Sequence, residues 1–592
     1  MIGVDEEDLL PLDEFINLPT TVSFNVVNID RFQAYARDKP YIRIGTQLAN
    51  LLAIAYTNKK NIFRIFEELG YDFLDFFPKI LSPLDAKSNE AAGIAQVLNQ
   101  PVLNLSGRGV IIGFIDTGID YTKEAFKFED GTTKILSIWD QSINGNRPDY
   151  LHYGSVYTRE QINEALNSAN PFDIVPLTDQ DGHGTFLASV AASNETGDYI
   201  GAAPKAYIIS VKLRRAHPFY TEMYLINENN PNIFESTDCL TGLKYIFDRS
   251  EELNLPVVIC MGIGSNMTGH DGNSSFEDYI DFVTQNTGYA VVTAAGNESN
   301  ARHHTQGRIA RTGNTDTISL KTGRDGSSFS LFVYASNFDK ISVGIISPTG
   351  DVVARVPFSI GTRYSQRLLF ENTIVTVEYY RGSNTIIFIR FMAATQGIWD
   401  VTLFGDIVVS GEYHAWLPLT GQADEGLEFL RPVPEYTIVY PSTSMRGLTC
   451  GAYNSNDGSL FVSSSWGPTR HPAYSPDFVA PGVGVSGIYP TGRGTMTGTS
   501  VSAAVVSGAA ALLFEWGILQ GYMASMDGPL IKALLISGST REEGGIYPNN
   551  KWGYGKINLY ETFRTIQESS LNYIIEGLST TESNQENKII EI

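Results

Sequence analysis

The 592 residues are 43% hydrophobic and 18% charged, the balance of a globular chain with a large core and too long for one simple domain. Asp and Glu number 65 against 42 Lys and Arg, a formal charge of −23, which excludes nucleic acid or an anionic membrane as the principal partner because phosphate binding needs a dense basic surface. Cys239, Cys260 and Cys450 are too few, and odd in number, for a disulfide framework, and no CxxC pair suggests zinc.

Taken in chain order, the acidic start "MIGVDEEDLLPLDEF" has no basic patch followed by an apolar run, so a secretory signal is not expected and synthesis in the cytoplasm is. Residues 1–95 form a first, α+β unit, in which "NIFRIFEELGYDFLDFF" predicts an amphipathic helix leading into aromatic core positions. From Gly109 the texture changes. "GVIIGFID", "AYIISVKL", "PVVICMG" and "YAVVTAAGN" are continuous apolar, β-branched runs, as expected of strands buried on both faces of a parallel sheet. Between them "HGTFLASVAA" and "CLTGLKYIFDRSEEL" read as helices, and the alternation predicts a doubly wound α/β domain over 96–315.

Between Thr317 and Leu419, stretches such as "SFSLFVYAS", "TIVTVEYY" and "NTIIFIRFMA" alternate in period two and are divided by turns such as Ser347-Pro348-Thr349-Gly350. Strands without helices predict an inserted β-sandwich of jelly-roll type, placed at 316–440. The α/β texture resumes over 441–567, and a polar tail occupies 568–592. Within the last α/β part, "TMTGTSVSAAVVSGAAALLF" (Thr495–Phe514) is long and apolar enough to suggest a membrane span. Ser502 and Ser507 interrupt it, and Glu515 follows directly, so it is read as a buried helix with no membrane span.

Four features could carry chemistry. Asp116 ends a buried strand at the sheet edge where open α/β folds gather reactive groups, although a turn aspartate would look the same. His183 sits between two glycines and opens a helix; the seven other histidines lack such flanks. The pair His303-His304 has no further ligands nearby and is read as a solvated loop. Asn297 follows a strand and could donate its amide to an oxyanion, or simply occupy a tight turn. Ser500 stands at a helix N-terminus, where backbone N–H groups and the helix dipole favour developing negative charge, with an ordinary capping serine as the plain alternative.

Together these give a carboxylate, an imidazole, an amide donor and a hydroxyl in the order Asp, His, Asn, Ser, which matches subtilisin. "VIIGFIDTGID", "GHGTFLASVAA", "VVTAAGN", "DFVAPGVGV" and "GTSVSAAVVSGAAALL" resemble the signature blocks of the subtilases (peptidase S8) in the correct order, and "IKALLISGST" and "WGYGKINLYET" resemble the family's C-terminal blocks. The layout of an N-terminal unit, a subtilase core and a β-rich insert resembles the Csp germination proteases of clostridial spores. The resemblance implies a serine endopeptidase with Asp116, His183 and Ser500 as triad. It implies an oxyanion hole from Asn297 and the Ser500 N–H, and a P1 side chain flanked by Met261, Gly262, Ile263 and Gly264 on one side and Ala294, Ala295 and Gly296 on the other. It further implies that residues 1–95 are a prodomain, cleaved by the enzyme itself somewhere between Leu81 and Leu105 and remaining bound. The wider substrate would be a protein or peptide, a cortex-hydrolase zymogen among them, with the protein incorporated into spores.

The sequence departs from the family pattern in places. Gly262 stands where subtilisins often carry Ser, predicting a more open P1 wall. Phe186 replaces the second His of the HGTH block, and Val501, Ser502 and Ala504 replace Met, Ala and Pro after the nucleophile. No cofactor is required by this reading. Calcium is left open, since no dense Asp/Asn loop stands out. Two alternatives remain: a pseudoprotease acting as a regulatory or binding protein, and a general intracellular degradative subtilase. All four polar groups being present argues against the first.

Overall fold

The computed structural model describes residues 6–568, apart from 50, 84–91, 195–199, 228–229, 423 and 471–472. The polar tail placed at 568–592 lies, beyond its first residue, outside the described residues, as does most of the segment joining the first unit to the rest.

Eight strands make the central sheet, in the order Phe478–Pro481, Leu448–Tyr453, Tyr289–Ala294, Val257–Met261, Ile111–Asp116, Tyr207–Lys212, Ile135–Asp140 and Ser155–Thr158. Seven run parallel, and the edge strand Ser155–Thr158 pairs antiparallel with Ile135–Asp140, so the sheet is mixed rather than wholly parallel. The apolar runs are continuous because alternate residues serve opposite cores. Ile112, Phe114, Val258 and Cys260 face the helices His183–Ala192 and Thr499–Phe514. Ile111, Ile115 and Ile259 face Ser236–Leu253 and Ser275–Val283.

The helix Thr499–Phe514 runs through the middle of the first core and is buried at every residue. Together with the turn that continues it to Leu519 it is long and apolar enough to cross a membrane, but 94% of the most apolar stretch of Thr499–Leu519 lies buried inside the fold. Small side chains allow close packing: a Cβ on Gly508 would lie 2.3 Å from Ala202 Cβ. At its far end Glu515 accepts hydrogen bonds from the backbone N–H groups of Ser106 (2.7 Å) and Gly107 (2.6 Å).

The first unit has a three-stranded antiparallel sheet, Thr21–Val27, Leu52–Asn58 and Ile42–Leu48 in that order, with helices Ile29–Ala36 and Ile62–Leu69. The amphipathic helix expected within 61–77 is Ile62–Leu69, and it leads into aromatic core positions, with Phe73, Phe76 and Phe77 fully buried around a short second helix, Phe73–Phe76. Gly70 takes φ +62° and closes the first, a conformation that glycine adopts without penalty.

The insert consists of a six-stranded and a five-stranded antiparallel sheet enclosing one apolar core that includes Leu331, Val333, Phe391, Trp399 and Val401. Its strands start earlier than the expected boundary, since His304–Arg308 pairs with Glu412–Trp416. The insert and the first unit also share a core: Phe73 stacks on Tyr380 at 4.0 Å, and Phe76, Phe388 and Trp416 belong to the same cluster.

Candidate active site

Asp116 lies at the carboxyl end of its strand, 1% exposed. Its Oδ1 accepts from the Thr117 N–H at 2.7 Å and lies 2.7 Å from His183 Nδ1. That contact fixes the imidazole plane and leaves Nε2 as the ring's proton-accepting position.

Both glycines beside His183 have a steric reason. Gly182 holds φ +88° at the helix entry. Gly184 brings the first turn against the strand end, where a Cβ would sit 2.2 Å from Gly118 O and 3.1 Å from Asp116 Cβ. The helix start is tied down by a residue that the sequence reading missed. Asp179 accepts from the N–H groups of Gly182 (2.9 Å) and Thr185 (2.9 Å) and from the Thr185 hydroxyl (2.6 Å). An Asp three residues before the turn glycine is a capping signal that was available in "DQDGHGT". Thr117 Oγ1 takes the Gly184 N–H at 3.0 Å, joining strand end to helix start.

Ser500 is the second residue of its helix, fully buried. The chain brings it to His183 at Gly262: a Cβ there would lie 2.9 Å from Ser500 Cβ, 3.0 Å from His183 Cε1 and 2.6 Å from Leu187 Cδ1. Gly262 therefore does not open the P1 wall as expected. The space a side chain would need is already filled, and glycine is what lets the two groups flank one point.

Asn297 follows the strand Tyr289–Ala294 after Gly296, whose φ is +108°. Its Oδ1 accepts from the Thr499 N–H (3.2 Å) and the Thr499 hydroxyl (3.1 Å). Two donors on one atom identify it as the amide oxygen and turn Nδ2 the other way. The next residue, Glu298, is anchored by Asn266 Nδ2 (3.0 Å), His303 Nδ1 (2.8 Å) and the Thr420 N–H (3.1 Å). Burial alone would raise the Glu298 carboxyl, but His303 and the Thr420 hydrogen bonds outweigh it and hold it below the usual range.

The two stretches expected to flank a P1 side chain, 261–264 and 294–296, are brought together mainly through backbone. Met261 and Ile263 are buried in the core under Ser236–Leu253, so Met261 lends its main chain rather than its side chain. Gly264 and Gly296 face each other across Val439, whose methyl carbons come within 2.5 Å of where a Cβ on either glycine would stand. Val439 N–H bonds Ala295 O (2.9 Å), and Ser442 Oγ bonds Ala294 O (2.6 Å).

His303 and His304 are not in a solvated loop. His304 is 1% exposed and stacks on Trp416 at 4.7 Å, because strand pairing carries it under that ring. Among the described residues no group of three or more His, Cys, Asp or Glu could hold a metal ion. The thiols offer no rival nucleophile: burial pushes Cys260 up to about 12 and Cys239 and Cys450 well above their usual range.

An aspartate–imidazole pair beside a serine at a helix N-terminus, with a carboxamide held across from it, is the equipment of acyl transfer. The subtilase family model matches residues 107–353 and 430–555, leaving out much of the β-rich insert, and the chain belongs to that family of serine peptidases. It is similar to the solved CspB protease of Clostridium perfringens, with 33% identity, a TM-score of 0.71, and coverage of 81% of this chain and 98% of that one. A PII-type proteinase of Lacticaseibacillus paracasei is 28% identical over 238 residues, 39% of this chain. The subtilisin-like protease SBT2.3 of Arabidopsis thaliana is 34% identical over 128 residues, 18% of this chain. The alignment spans about a tenth of the length of the PII-type proteinase (11%).

Proposed function

We propose that the protein is a serine endopeptidase that uses Asp116, His183 and Ser500. Ser500 Oγ attacks the scissile carbonyl while His183 takes its proton and passes it to the leaving amine. Asp116 holds the imidazole and stabilises its protonated form. Asn297 Nδ2 and the Ser500 N–H meet the oxyanion. The observation that carries this reading is the meeting of His183, already held at 2.7 Å by Asp116, and Ser500 at Gly262.

In this reading residues 1–95 contain a prodomain that the enzyme cleaves and keeps, and the β-rich insert is a jelly-roll domain. Retention is supported by buried contacts. Ser23 Oγ donates to Glu235 Oε2 (2.8 Å), Tyr220 OH donates to Ser23 O, and the aromatic core is shared with the insert. The reading extends, as the resemblance to the Csp germination proteases implies, to a role in germination with a cortex-hydrolase zymogen as substrate and the protein carried in spores.

A fluorophosphonate probe tests the chemistry. Labelling should map to Ser500, be absent in Ser500→Ala, and track casein hydrolysis. No label and no hydrolysis by the folded wild type would overturn the enzyme reading in favour of a regulator. Incubation with a purified cortex-hydrolase zymogen tests the narrower role, which fails if an enzyme active on casein leaves it intact.

A further inference from the structure

We propose that Glu298 is a positioning residue for the oxyanion donor. Its carboxylate ties the backbone beside Asn297 to both crossings between the peptidase core and the β-rich insert, so that the seating of the insert governs the chemical step. The inference rests on the protease reading and adds to it a role for this residue and for the insert.

Asn297 is fixed from two directions. Its side-chain oxygen is held by Thr499. Its main chain is bracketed by Ser465, which is fully buried. The Ser465 N–H donates to Gly296 O at 2.8 Å, and Ser465 Oγ accepts from the Glu298 N–H at 3.0 Å. The direction of Nδ2 therefore depends on the residues either side of Asn297, and of these two only Glu298 has a side chain to anchor.

That side chain is 1% exposed and runs to the root of the insert. Oε2 accepts from His303 Nδ1 (2.8 Å) and Asn266 Nδ2 (3.0 Å), and Oε1 accepts from the Thr420 N–H (3.1 Å). His303 immediately precedes His304–Arg308, the strand by which the chain enters the six-stranded sheet of the insert. Thr420 follows Glu412–Trp416, the strand by which it leaves that sheet, and the two strands pair with each other. The ring is closed between them: the Leu417 N–H donates to His303 O at 2.9 Å, and Asn266 Nδ2 also reaches Leu417 O at 3.4 Å. Core, entry and exit thus meet at one carboxylate, one residue from the oxyanion donor.

The choice of a carboxylate points the same way. A buried ion pair gains little stability over well-packed apolar residues of the same volume. What it supplies is direction, because three donors from three separate segments must aim at one group. Those donors outweigh burial and keep the Glu298 carboxyl below its usual range, so the charge persists. Glutamine has one oxygen to offer, and its amide N–H would face one of the donors. Aspartate is a methylene too short.

The test is a double-mutant cycle in the full chain, read on a fluorogenic peptide taken from a site cut in casein, with thermal melts on each preparation. Glu298→Gln should lower kcat about tenfold, the size of one lost charge-assisted hydrogen bond, with KM changed little. Added to Asn297→Ala it should lower kcat no further, within about twofold, because the group it positions is gone. His303→Asn sets an amide N–H where Nδ1 stands and should retain most of the rate, whereas His303→Leu should lose as much as Glu298→Gln. This second pair carries the test if Glu298→Gln does not fold. An equal loss from Glu298→Gln in both backgrounds, a loss confined to KM or to the melt, or equal rates in the two His303 variants overturns this proposal. Each would make Glu298 a structural clamp and leave the protease reading standing. No hydrolysis of casein by the folded wild type overturns both.

Discussion

Thr499 fixes the orientation of Asn297: its N–H and its hydroxyl both reach the same carboxamide oxygen, at 3.2 and 3.1 Å. The residue before Ser500 thus sets the donor proposed for the oxyanion. Replacing Asn297 with Ala should lower kcat by about 10²–10³ with little change in KM, as loss of an oxyanion donor does. Thr499→Val removes only one of the two anchors, so its kcat should fall by less, about tenfold. Steady-state kinetics on one peptide substrate separates these. Equal losses from both variants would mean that Thr499 acts on more than Asn297.

Asp116→Asn should keep the fold and lower kcat by about 10⁴, because the amide cannot hold His183 with its proton on Nδ1. At 1% exposure the position is closed to bulk solvent. A loss appearing mainly in KM would argue against the orienting role.

Much of this was legible in the sequence, and what was not has physical reasons. The helix at His183–Ala192 was readable because a glycine pair marks its start and a largely apolar run, broken only by Thr185 and Ser189, marks its content. The sheet strands were readable because both faces are buried. The buried state of His304 was not, since burial there comes from a strand partner more than 100 residues away, as its contact with His414, 110 residues on, shows. Gly262 was misjudged for a related reason: a missing side chain reads as open space in one dimension, while Leu187, Ser500 and His183 fill that space in three. The place of Ile80–Pro83 between two distant short strands likewise leaves no local pattern.

Val439 is fully buried and fills the space between Gly264 and Gly296. Trimming it with Val439→Ala should open room there and, if P1 lies between these glycines as proposed, raise kcat/KM for peptides with large P1 side chains relative to small ones. A change of two methyl groups is worth about 10-fold or somewhat more. A matched series with Ala, Leu and Phe at P1 reads it out, and unchanged ratios would place P1 elsewhere.

Gly184→Ala should damage both stability and activity. The added Cβ would meet the Gly118 carbonyl at 2.2 Å, and backbone cannot move aside as a flexible side chain can. The His183 helix must then retreat from Asp116, at a cost of about 1–3 kcal/mol. Thermal melts and kcat on the same preparation test it. A normal melt with normal kcat would show that the strand end yields instead.

The histidines around Trp416 should make the protein acid-sensitive. His270 stacks on Trp416 at 4.2 Å, His304 at 4.7 Å, and His414 at 5.5 Å, with His304 Nε2 and His414 Nδ1 3.1 Å apart. Burial pushes His270 down to about 4, His304 to about 3 and His414 to about 2, with Arg470 adding to each shift and Asp271 opposing it at His270. The unfolded chain takes up these protons near 6.5, the folded protein only far lower. Their stabilising contribution is therefore complete above about pH 6.5 and lost as pH falls toward the folded values, by at most about 1.4 kcal/mol per unit per histidine. Glu277 acts in the other sense, because burial raises it to about 7 and its share is lost as pH rises through that value. The informative quantity is consequently a difference between variants. His414→Phe keeps a ring beside Trp416 and removes one titration, so urea unfolding should show it gaining on wild type as pH drops from 7 to 5. A gap of the same size at both pH values would mean that His414 does not titrate on unfolding.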